Sequence, residues 1–232
     1  MRGEYIMKKQ LIKVFCTVFV VFALVCCMTT QIVSASGDGY LLLGGAFNQG
    51  IDEVTCKNNV NGEDYPILYA AIEAAIVDWD WHLALLNEQY GKSWDMISVT
   101  GSNAMIEFYA MSNEEALAFL EVYTGSPTTL KPGGAAFATH WVDSTTNNGP
   151  GWDICRIVFL YERLETQEVL EDYYTLQIIA NHEIGHALGL DDYVDEQGNP
   201  LDNGVIMHPH YNTCTADVPT AADLNGIYAI YG

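Results

Sequence analysis

The sequence predicts an α/β or α+β fold in which one sheet packs against a few helices and the chain closes with a short C-terminal helix. Two observations carry this prediction. Apolar residues recur at helical spacing in two separate long segments, and short aromatic and β-branched segments stand between them. A chain of 232 residues without repeats, low-complexity tracts or a proline- and serine-rich linker suits one sizeable domain. A sheet covered by helices is the layered arrangement that buries both kinds of segment.

The first long helix is expected within YPILYAAIEAAIVDWDWHLALL, which starts at Tyr65. Its apolar residues are spaced by three and four positions, so they share one face of a helix, and that face is expected to be buried. These residues are Leu68, Ile72, Ile76, Trp79, Leu83 and Leu86. A shorter helix is expected in SNEEALAFLEVY, because Ser112 followed three residues later by Glu115 forms the capping box typical of a helix start.

Three strands are expected in segments rich in aromatic and apolar residues. They are AMIEFYA (residues 104–110), AAFATHWV (135–142) and ICRIVFLY (154–161), and the last has the β-branched content of a buried strand. A second long helix is expected over TLQIIANHEIGHALG, with Thr175 as its N-cap. The loop-rich tail is expected to end in a short helix near TAADLNGIYAIYG.

The first 35 residues have the pattern of a secretory signal peptide. Four basic residues within residues 1–13 precede the uncharged apolar run VFCTVFVVFALVCCM, and the small-residue sequence VSA ends at Ala35. The apolar run has 15 residues, whereas a membrane span needs about 20, so cleavage after Ala35 is favoured over an uncleaved anchor. We therefore expect a secreted protein without membrane contact after cleavage.

The chain is strongly acidic, with a formal net charge of −21. From Ser36 onward five basic residues face 29 acidic ones, which makes the net charge of the mature chain −24. Nucleic acids and anionic membranes bind cationic surfaces, so neither is an expected partner. Cys56, Cys155 and Cys214 remain in a compartment where disulfides persist, and we expect one bridge and one free thiol, in any of three pairings.

Two histidines stand four residues apart in NHEIGHALGLDDY, residues 181–193. At this spacing His182 and His186 leave one face of a helix side by side, and their ring nitrogens can bind one Zn²⁺. Glu183 lies beside that face and can take a proton from a water that the metal activates, the general-base role in metal-assisted peptide hydrolysis. The same spacing also occurs by chance in ordinary surface helices, so the pattern needs support from the residues that follow.

The residues after the helix supply that support. Gly189 stands three residues after His186, where a left-handed turn without a Cβ penalty lets the chain double back. Asp192 stands three residues further on and is expected to return a carboxylate oxygen, an accepted zinc ligand, to the same metal. Asp191, one residue earlier, remains a rival ligand. Met207 follows in NGVIMHPHY, where its thioether is expected to fill irregular space beneath the ligands.

These residues resemble the metzincin metallopeptidases, whose pattern is H-E-x-x-H-x-x-G-x-x-H/D followed by a methionine turn. LQIIANHEIGHALGL is similar to the active-site helix of the matrixins, VIMHPHY to their Met-turn and ADLNGIYAIYG to their C-terminal helix. The aspartate in third place, and Cys214 shortly after the Met-turn, instead resemble the snapalysin-type bacterial proteases. The resemblance implies one metallopeptidase catalytic domain over residues 36–232. It implies an α+β fold whose upper subdomain, residues 36–189, has a mixed, twisted sheet and two long helices. The lower subdomain, residues 190–232, would carry the Met-turn, with a cleft beside it.

Two departures from the matrixin pattern limit what the resemblance implies. The matrixins hold a structural zinc with spaced histidines and an aspartate ahead of the active-site helix, whereas here His140 stands alone and ICRIVFLY has no histidine. We therefore expect no second zinc. The matrixin propeptide caps the metal with a cysteine, and Cys56 in EVTCKNN lacks the surroundings of that motif, so a disulfide is its expected fate.

The residues and the resemblance together predict a secreted, monomeric zinc endopeptidase that acts on proteins or peptides. In this reading His182, His186 and Asp192 hold one zinc ion and Glu183 is the general base. Tyr211 is a candidate for lining the substrate site or stabilising an oxyanion, although its spacing differs from that of relatives with such a tyrosine. The competing class is a secreted metal-containing binding or adhesion protein of the same fold without turnover.

Three further expectations concern the surroundings of the metal. AAFATHWV is expected to be the edge strand along which an extended substrate pairs. His208 and His210 are expected to be exposed loop residues. The segment DYVDEQGNPLDN, which starts at Asp192, has carboxylate and amide oxygens that suit Ca²⁺, but its spacing matches no EF-hand loop, so a solvated acidic loop is the favoured alternative.

Overall fold

The computed structural model describes residues 40–101, 104–124, 129–141 and 151–232. The expected signal peptide, its cleavage site and Val142 lie outside the described residues. None of the helices in the described ranges combines the length and the apolar composition that a bilayer crossing needs.

Seven strands and five helices form within these ranges, and they are numbered here along the chain. The strands are β1 (Leu41–Leu42), β2 (Val54–Asn58), β3 (Met96–Ser98), β4 (Ile106–Met111), β5 (Ala136–Trp141), β6 (Ile154–Leu160) and β7 (Leu190–Asp191). The helices are α1 (Pro66–Tyr90), α2 (Asn113–Thr124), α3 (Tyr161–Thr166), α4 (Tyr173–Ala187) and α5 (Ala221–Tyr231).

Five strands form one mixed sheet in the order β3-β2-β4-β6-β5. All neighbours are parallel except β5, which runs antiparallel to β6 and forms one edge. The β6 strand lies inside the sheet, and its last four residues are all buried, which explains its continuous apolar sequence. The predicted α+β fold with a mixed sheet is therefore confirmed.

The α1 helix packs against α4, the helix that carries the two histidines. The six apolar residues that the spacing of three and four assigned to the buried face of α1 are all buried. In the interface the Trp79 indole Nε1 donates to the Asn181 carbonyl at 3.0 Å. The Asp78 carboxylate accepts hydrogen bonds from the side chains of Gln177 and Asn181 at 2.7 and 2.9 Å. These contacts fix α4 on α1 along its length.

Two helix starts test the capping predictions. The predicted box at Ser112 and Glu115 is confirmed, because each backbone N–H donates to the other side chain, at 2.8 and 3.1 Å. The predicted N-cap of α4 is wrong: Asp172 is the cap, and Thr175 lies inside the first turn. The Asp172 carboxylate accepts from the Thr175 N–H at 3.3 Å and from its hydroxyl at 2.7 Å. The Asp172 carboxylate stands before the helix and reaches these donors of the first turn, whereas Thr175 already lies inside that turn.

The expected disulfide is not formed among the cysteines that the structure describes, which are all free thiols. Cys56 lies on β2 and Cys155 on β6, each paired in register with Ile106 of the intervening strand β4. Two strand spacings separate them by about 9–10 Å, whereas a disulfide tolerates Cα atoms no more than about 7 Å apart. The Cys214 thiol lies in the tail and donates to the Val205 and Ala216 carbonyls, both at 3.3 Å.

Candidate metal centre

The side chains of His182, His186 and Asp192 converge on one point. Asp192 Oδ1 lies 3.2 Å from His182 Nε2 and 3.5 Å from His186 Nε2. Two ligands on a tetrahedral zinc at about 2.0–2.1 Å are separated by about 3.3 Å. Among the described residues, this trio is the one group whose donor atoms lie close enough to share a metal ion, all within 4.8 Å of one another. The donor set and its spacing therefore fit zinc.

Backbone carbonyls fix the orientation of both imidazoles. His182 Nδ1 lies 3.0 Å from the Ile206 carbonyl oxygen, and His186 Nδ1 lies 2.9 Å from that of Leu190. A carbonyl only accepts, so each Nδ1 carries a hydrogen, and Nε2 is the ring nitrogen that is left to bind a metal.

The turn after α4 brings Asp192 back to the histidines. Gly189 has φ +105°, as the predicted turn requires, and a Cβ there would come within 2.8 Å of the Gly45 carbonyl oxygen. The chain then enters β7, which pairs antiparallel with β1, and the Leu43 N–H donates to the Gly189 carbonyl at 2.9 Å. The N-terminal strand thus fastens the segment that ends at Asp192.

Asp191 and Asp192 have different partners. The Asp191 carboxylate lines the cleft, but its Oδ1 accepts from the Asp192 N–H at 2.8 Å. Asp192 Oδ1 is the atom that approaches both Nε2 nitrogens. The geometry therefore favours Asp192 as the third ligand and gives Asp191 the part of orienting it.

The three side chains are electrostatically coupled. Burial lowers the pKa of His186, but the hydrogen bond to Asp192 and the charges of Glu183 and Asp192 outweigh burial and raise this pKa to about 9. Burial alone would raise the pKa of Asp192, yet the hydrogen bonds and charges of the two histidines hold it well below its usual range. Positive charge is thus stabilised where the three side chains meet.

Glu183 is buried beside this point with one oxygen unengaged. Burial raises its pKa, while the charges of His186 and His182 oppose the shift. Its Oε2 is buried and has no hydrogen-bond partner among the described residues. A buried carboxylate oxygen without a partner is costly in a purely structural role, so a water or substrate group in the cleft is its expected partner.

Met207 lies beneath the histidines against the backbone of α4. It is buried, and a Cβ added at Gly185 would stand only 2.3 Å from its sulfur. Glycine at this helix position therefore makes room for the methionine. The buried Asp223 carboxylate accepts from the backbone N–H groups of Ile206 and Met207 at 3.1 and 3.4 Å and also caps α5, which couples the methionine turn to the last helix.

Two other histidines adjoin the centre. His140 of β5 lies with Nε2 2.9 Å from the His186 carbonyl oxygen, and burial lowers its pKa to about 4, so the ring is neutral and donates that hydrogen bond. His208 lines the cleft and is buried, which corrects the expectation of an exposed residue. Its Nδ1 accepts from the His210 N–H at 3.1 Å. His210 is exposed, as expected.

A cleft of about 600 Å³ opens beside the metal centre. The edge strand β5 forms one wall, the α4 residues Ile178 and Ile179 line it with apolar surface, and the segment after Met207 forms the opposite rim. Tyr211 stands on that rim, where its hydroxyl donates to Gln167 Oε1 at 2.9 Å. Within the described residues the outer edge of β5 has no strand partner, and a cleft bounded by such an edge suits an extended chain.

The acidic loop after Asp192 is closed on itself. The Asp195 carboxylate accepts hydrogen bonds from the backbone N–H groups of Gln197 and Asn199 and from the Asn199 side chain. These bonds lower the pKa of Asp195. Its oxygens stabilise the turn, so the geometry does not support the calcium site considered from the sequence.

Comparison with known families decides the class of this protein. The matrixin family profile matches residues 71–232, which covers most of the chain and includes α1 from residue 71 onward, the sheet from β3 onward, α4 and the methionine turn. The chain belongs to the matrixin family. A matrixin is a metallopeptidase whose catalytic metal is zinc, and the His182, His186 and Asp192 cluster is compatible with that metal. Among curated proteins, no sequence matches the chain significantly.

Sequence reasoning missed residues that act through backbone contacts. The acceptors for the histidine rings are the carbonyls of Ile206 and Leu190, which no side-chain pattern reveals. Asp223 carried a readable signal, because Thr220 followed three residues later by an acidic residue is a capping-box pattern, but its second task at the methionine turn depends on tertiary structure.

Proposed function

We propose that this matrixin is a secreted zinc endopeptidase whose metal is held by His182, His186 and Asp192. The observation that carries the proposal is the approach of Asp192 Oδ1 to both histidine Nε2 atoms, at 3.2 and 3.5 Å. The catalytic domain is proposed to span residues 36–232, with the cleft between a part up to residue 189 and a part after it. Monomeric action on protein or peptide substrates agrees with the open cleft.

Each side chain of the centre has a distinct task in this proposal. When bound, zinc would polarise the scissile carbonyl and make a water more acidic. Glu183 takes the proton of the attacking water on its unengaged carboxylate oxygen and passes it to the departing amine nitrogen. The raised pKa of Glu183 suits the first half of that transfer, because a more basic carboxylate accepts a proton more readily.

The edge strand β5 is the proposed platform for the substrate. The β6 strand pairs with one edge of β5, and no strand of the described ranges pairs with the other edge. The backbone N–H and C=O groups of that second edge are therefore open to the cleft. An extended peptide along that edge gains main-chain hydrogen bonds irrespective of its sequence. Side chains of the substrate would then be selected by the residues that line the cleft.

Tyr211 is the proposed donor to the substrate oxyanion. Its hydroxyl already donates to Gln167, which is exposed, so that hydrogen bond contributes little net free energy. A developing oxyanion offers a charge-assisted hydrogen bond, which is roughly twice as strong. The Tyr211 hydroxyl can therefore release Gln167 Oε1 and donate its hydrogen bond to the substrate oxyanion instead.

Casein hydrolysis by the purified, zinc-loaded protein tests the proposal. Glu183→Gln keeps the size of the side chain and removes its basicity, so we expect the rate to fall by about 10²–10⁴-fold, while zinc content measured by elemental analysis stays at the wild-type level. A chelator should abolish the activity and added zinc restore it. Glu165→Gln on the exposed end of α3 is the matched control and should leave the rate unchanged.

The second candidate function is a binding or adhesion protein with the same metal and fold. It predicts full zinc binding without cleavage of casein or of any peptide in a mixed library. Turnover in the wild type that disappears in Glu183→Gln would exclude this alternative.

A further inference from the structure

One basic side chain stands in an otherwise acidic cleft. Lys131 is the only lysine or arginine among the described residues that line it, whereas Glu183, Asp191 and Asp192 supply three carboxyl groups. The Lys131 side chain is exposed. Its ammonium group makes no hydrogen bond or ion pair within the described ranges, so the charge is available to a ligand.

The backbone that carries Lys131 is a tight turn. Proline follows at 132, Gly133 has φ +76°, and the Gly134 N–H donates to the Lys131 carbonyl at 3.4 Å. Proline at the second position and a glycine of positive φ at the third are the features of a type II turn. The turn leads directly into β5, the proposed substrate strand.

Side chains from α3 and from the segment after it hold this turn in place. Arg163 Nη1 donates to the Lys131 and Gly134 carbonyls at 2.7 and 2.8 Å. Gln167 Nε2 donates to the Gly133 carbonyl at 3.4 Å. The Arg163 guanidinium is itself held by Asn113 Oδ1, which accepts from Nε at 2.9 Å. The Cα of Lys131 is therefore fixed at the end of the cleft, and only its side chain is free to reach a ligand.

The remaining basic residues of the mature chain have other tasks. Arg156 forms an ion pair with Glu107 at 2.8 Å, and Arg163 holds the turn. Lys92 donates to the Gly232 carbonyl at 2.9 Å. Lys57 lies on β2 and does not line the cleft. Lys131 is thus the cation that this acidic protein presents beside the substrate strand.

We propose that Lys131 determines specificity by binding a carboxylate of the substrate, either an Asp or Glu side chain near the scissile bond or the C-terminus of a peptide. This inference rests on the proposed peptidase function. The net charge of −24 repels anionic chains at long range, but salt screens that field beyond about 8 Å under physiological conditions. At contact distance the nearest charge dominates the interaction with a substrate carboxylate. On this rim of the cleft the nearest charge is the Lys131 ammonium.

The expected effect is modest because the contact is exposed. An exposed ion pair changes an equilibrium constant by about two- to fivefold. The substrate carboxylate is not the reacting group, so the contact should be equally strong in the ground and transition states. It should therefore lower KM and leave kcat unchanged.

A scanned peptide series tests the proposal. The parent is a neutral peptide with blocked ends. In the first series Glu replaces each residue around the cleaved bond in turn, and in the second, matched series Gln takes the same positions. A third series has a free C-terminus. The readout is the ratio of kcat/KM for the Glu and Gln peptides, or for the free and blocked ends. Wild type should favour the carboxylate by about two- to fivefold at one position, and the series that shows the preference identifies its source.

Three variants assign that preference to Lys131. Lys131→Met should bring the ratio to one, Lys131→Glu should bring it below one, and the control Lys57→Met should keep the wild-type ratio. Equal ratios in wild type and Lys131→Met would overturn the proposal. If no peptide is cleaved, the peptidase function fails, and calorimetric titration of the Glu and Gln peptides into wild type and Lys131→Met still decides whether Lys131 binds a carboxylate.

Discussion

At the residue scale, the candidate metal centre depends on side-chain donor atoms and on backbone groups that orient them. Its proposed ligands are side chains whose spacing could be read from the sequence: His182 and His186 on one helix face, with Asp192 after a glycine turn. The spacing after Gly189 favours Asp192 over Asp191, but the different role of Asp191 could not be read from the sequence. It depends on the Asp191 carboxylate turning back to accept the Asp192 N–H, a local contact that needs three-dimensional structure.

Tyr211→Phe tests the proposed oxyanion donor. Removing one such donor typically costs about 10²–10³-fold in kcat, and because the ring stays in the cleft wall, KM should change little. Steady-state kinetics on a casein-derived peptide measure both constants. Gln167→Leu is the companion variant: it removes the partner of the hydroxyl and the hydrogen bond to the Gly133 carbonyl but leaves the tyrosine hydroxyl in place, so kcat should fall much less than in Tyr211→Phe. An unchanged kcat in Tyr211→Phe would show that Tyr211 lines the cleft without donating to the oxyanion.

At the element scale, α4 and the methionine turn are shaped to each other at Gly185. A Cβ on Gly185 would meet the Met207 sulfur at 2.3 Å. We expect Gly185→Ala to lower the free energy of unfolding by about 1–3 kcal/mol through overpacking, although alanine favours the helix by about 1 kcal/mol. Met207→Ala alone should cost about 2–5 kcal/mol through the cavity it leaves. Urea denaturation measures each value.

The double variant separates this contact from general loss of stability. With the sulfur removed, the new methyl group has room, so Gly185→Ala with Met207→Ala should be more stable than additivity predicts by at least about 1 kcal/mol. Met96, a buried methionine on β3, is the control, because none of its atoms is among the nearest to a Cβ added at Gly185. Gly185→Ala with Met96→Ala should be additive. Additivity in both pairs would contradict the proposed fit.

The elements that could be predicted are those whose periodicity reflects one burial environment. The α1 helix buries one face along its whole length, and β4, β5 and β6 have continuous apolar or aromatic sequences. The β2 strand, VTCKN, and the three-residue β3 were missed because short strands with polar residues carry too little alternation. The pairing of β1 with β7 was also missed, because a two-residue strand is defined by its partner and not by its sequence.

At the scale of the whole molecule, the metal is expected to contribute to stability. The centre joins α4 to the segment after Gly189, and the Asp192 carboxylate is mostly buried between two imidazoles. Zinc at a thousandfold excess over its dissociation constant would stabilise the fold by about 4 kcal/mol. In a protein of this length each kcal/mol shifts Tm by about 2–4 °C, so a chelator should lower Tm by roughly 10 °C. Scanning calorimetry measures the shift.

Metal add-back distinguishes the centre from other cation effects. After dialysis against a chelator, zinc should restore the original Tm, whereas calcium at the same concentration should not, because the Asp195 loop satisfies its own carboxylate. Recovery with calcium alone would show a cation site elsewhere in the molecule. An unchanged Tm after complete removal of zinc would show that the centre does not stabilise the fold.

The most direct test of the account is a crystal structure of the zinc-loaded protein with a peptidic hydroxamate, with anomalous diffraction at the zinc absorption edge. The account predicts one zinc ion bound by His182 Nε2, His186 Nε2 and an Asp192 carboxylate oxygen, at about 2.0–2.2 Å. It also predicts that the Glu183 carboxylate contacts the inhibitor. A zinc ion bound by Asp191, or an anomalous peak away from the two histidines, would contradict it.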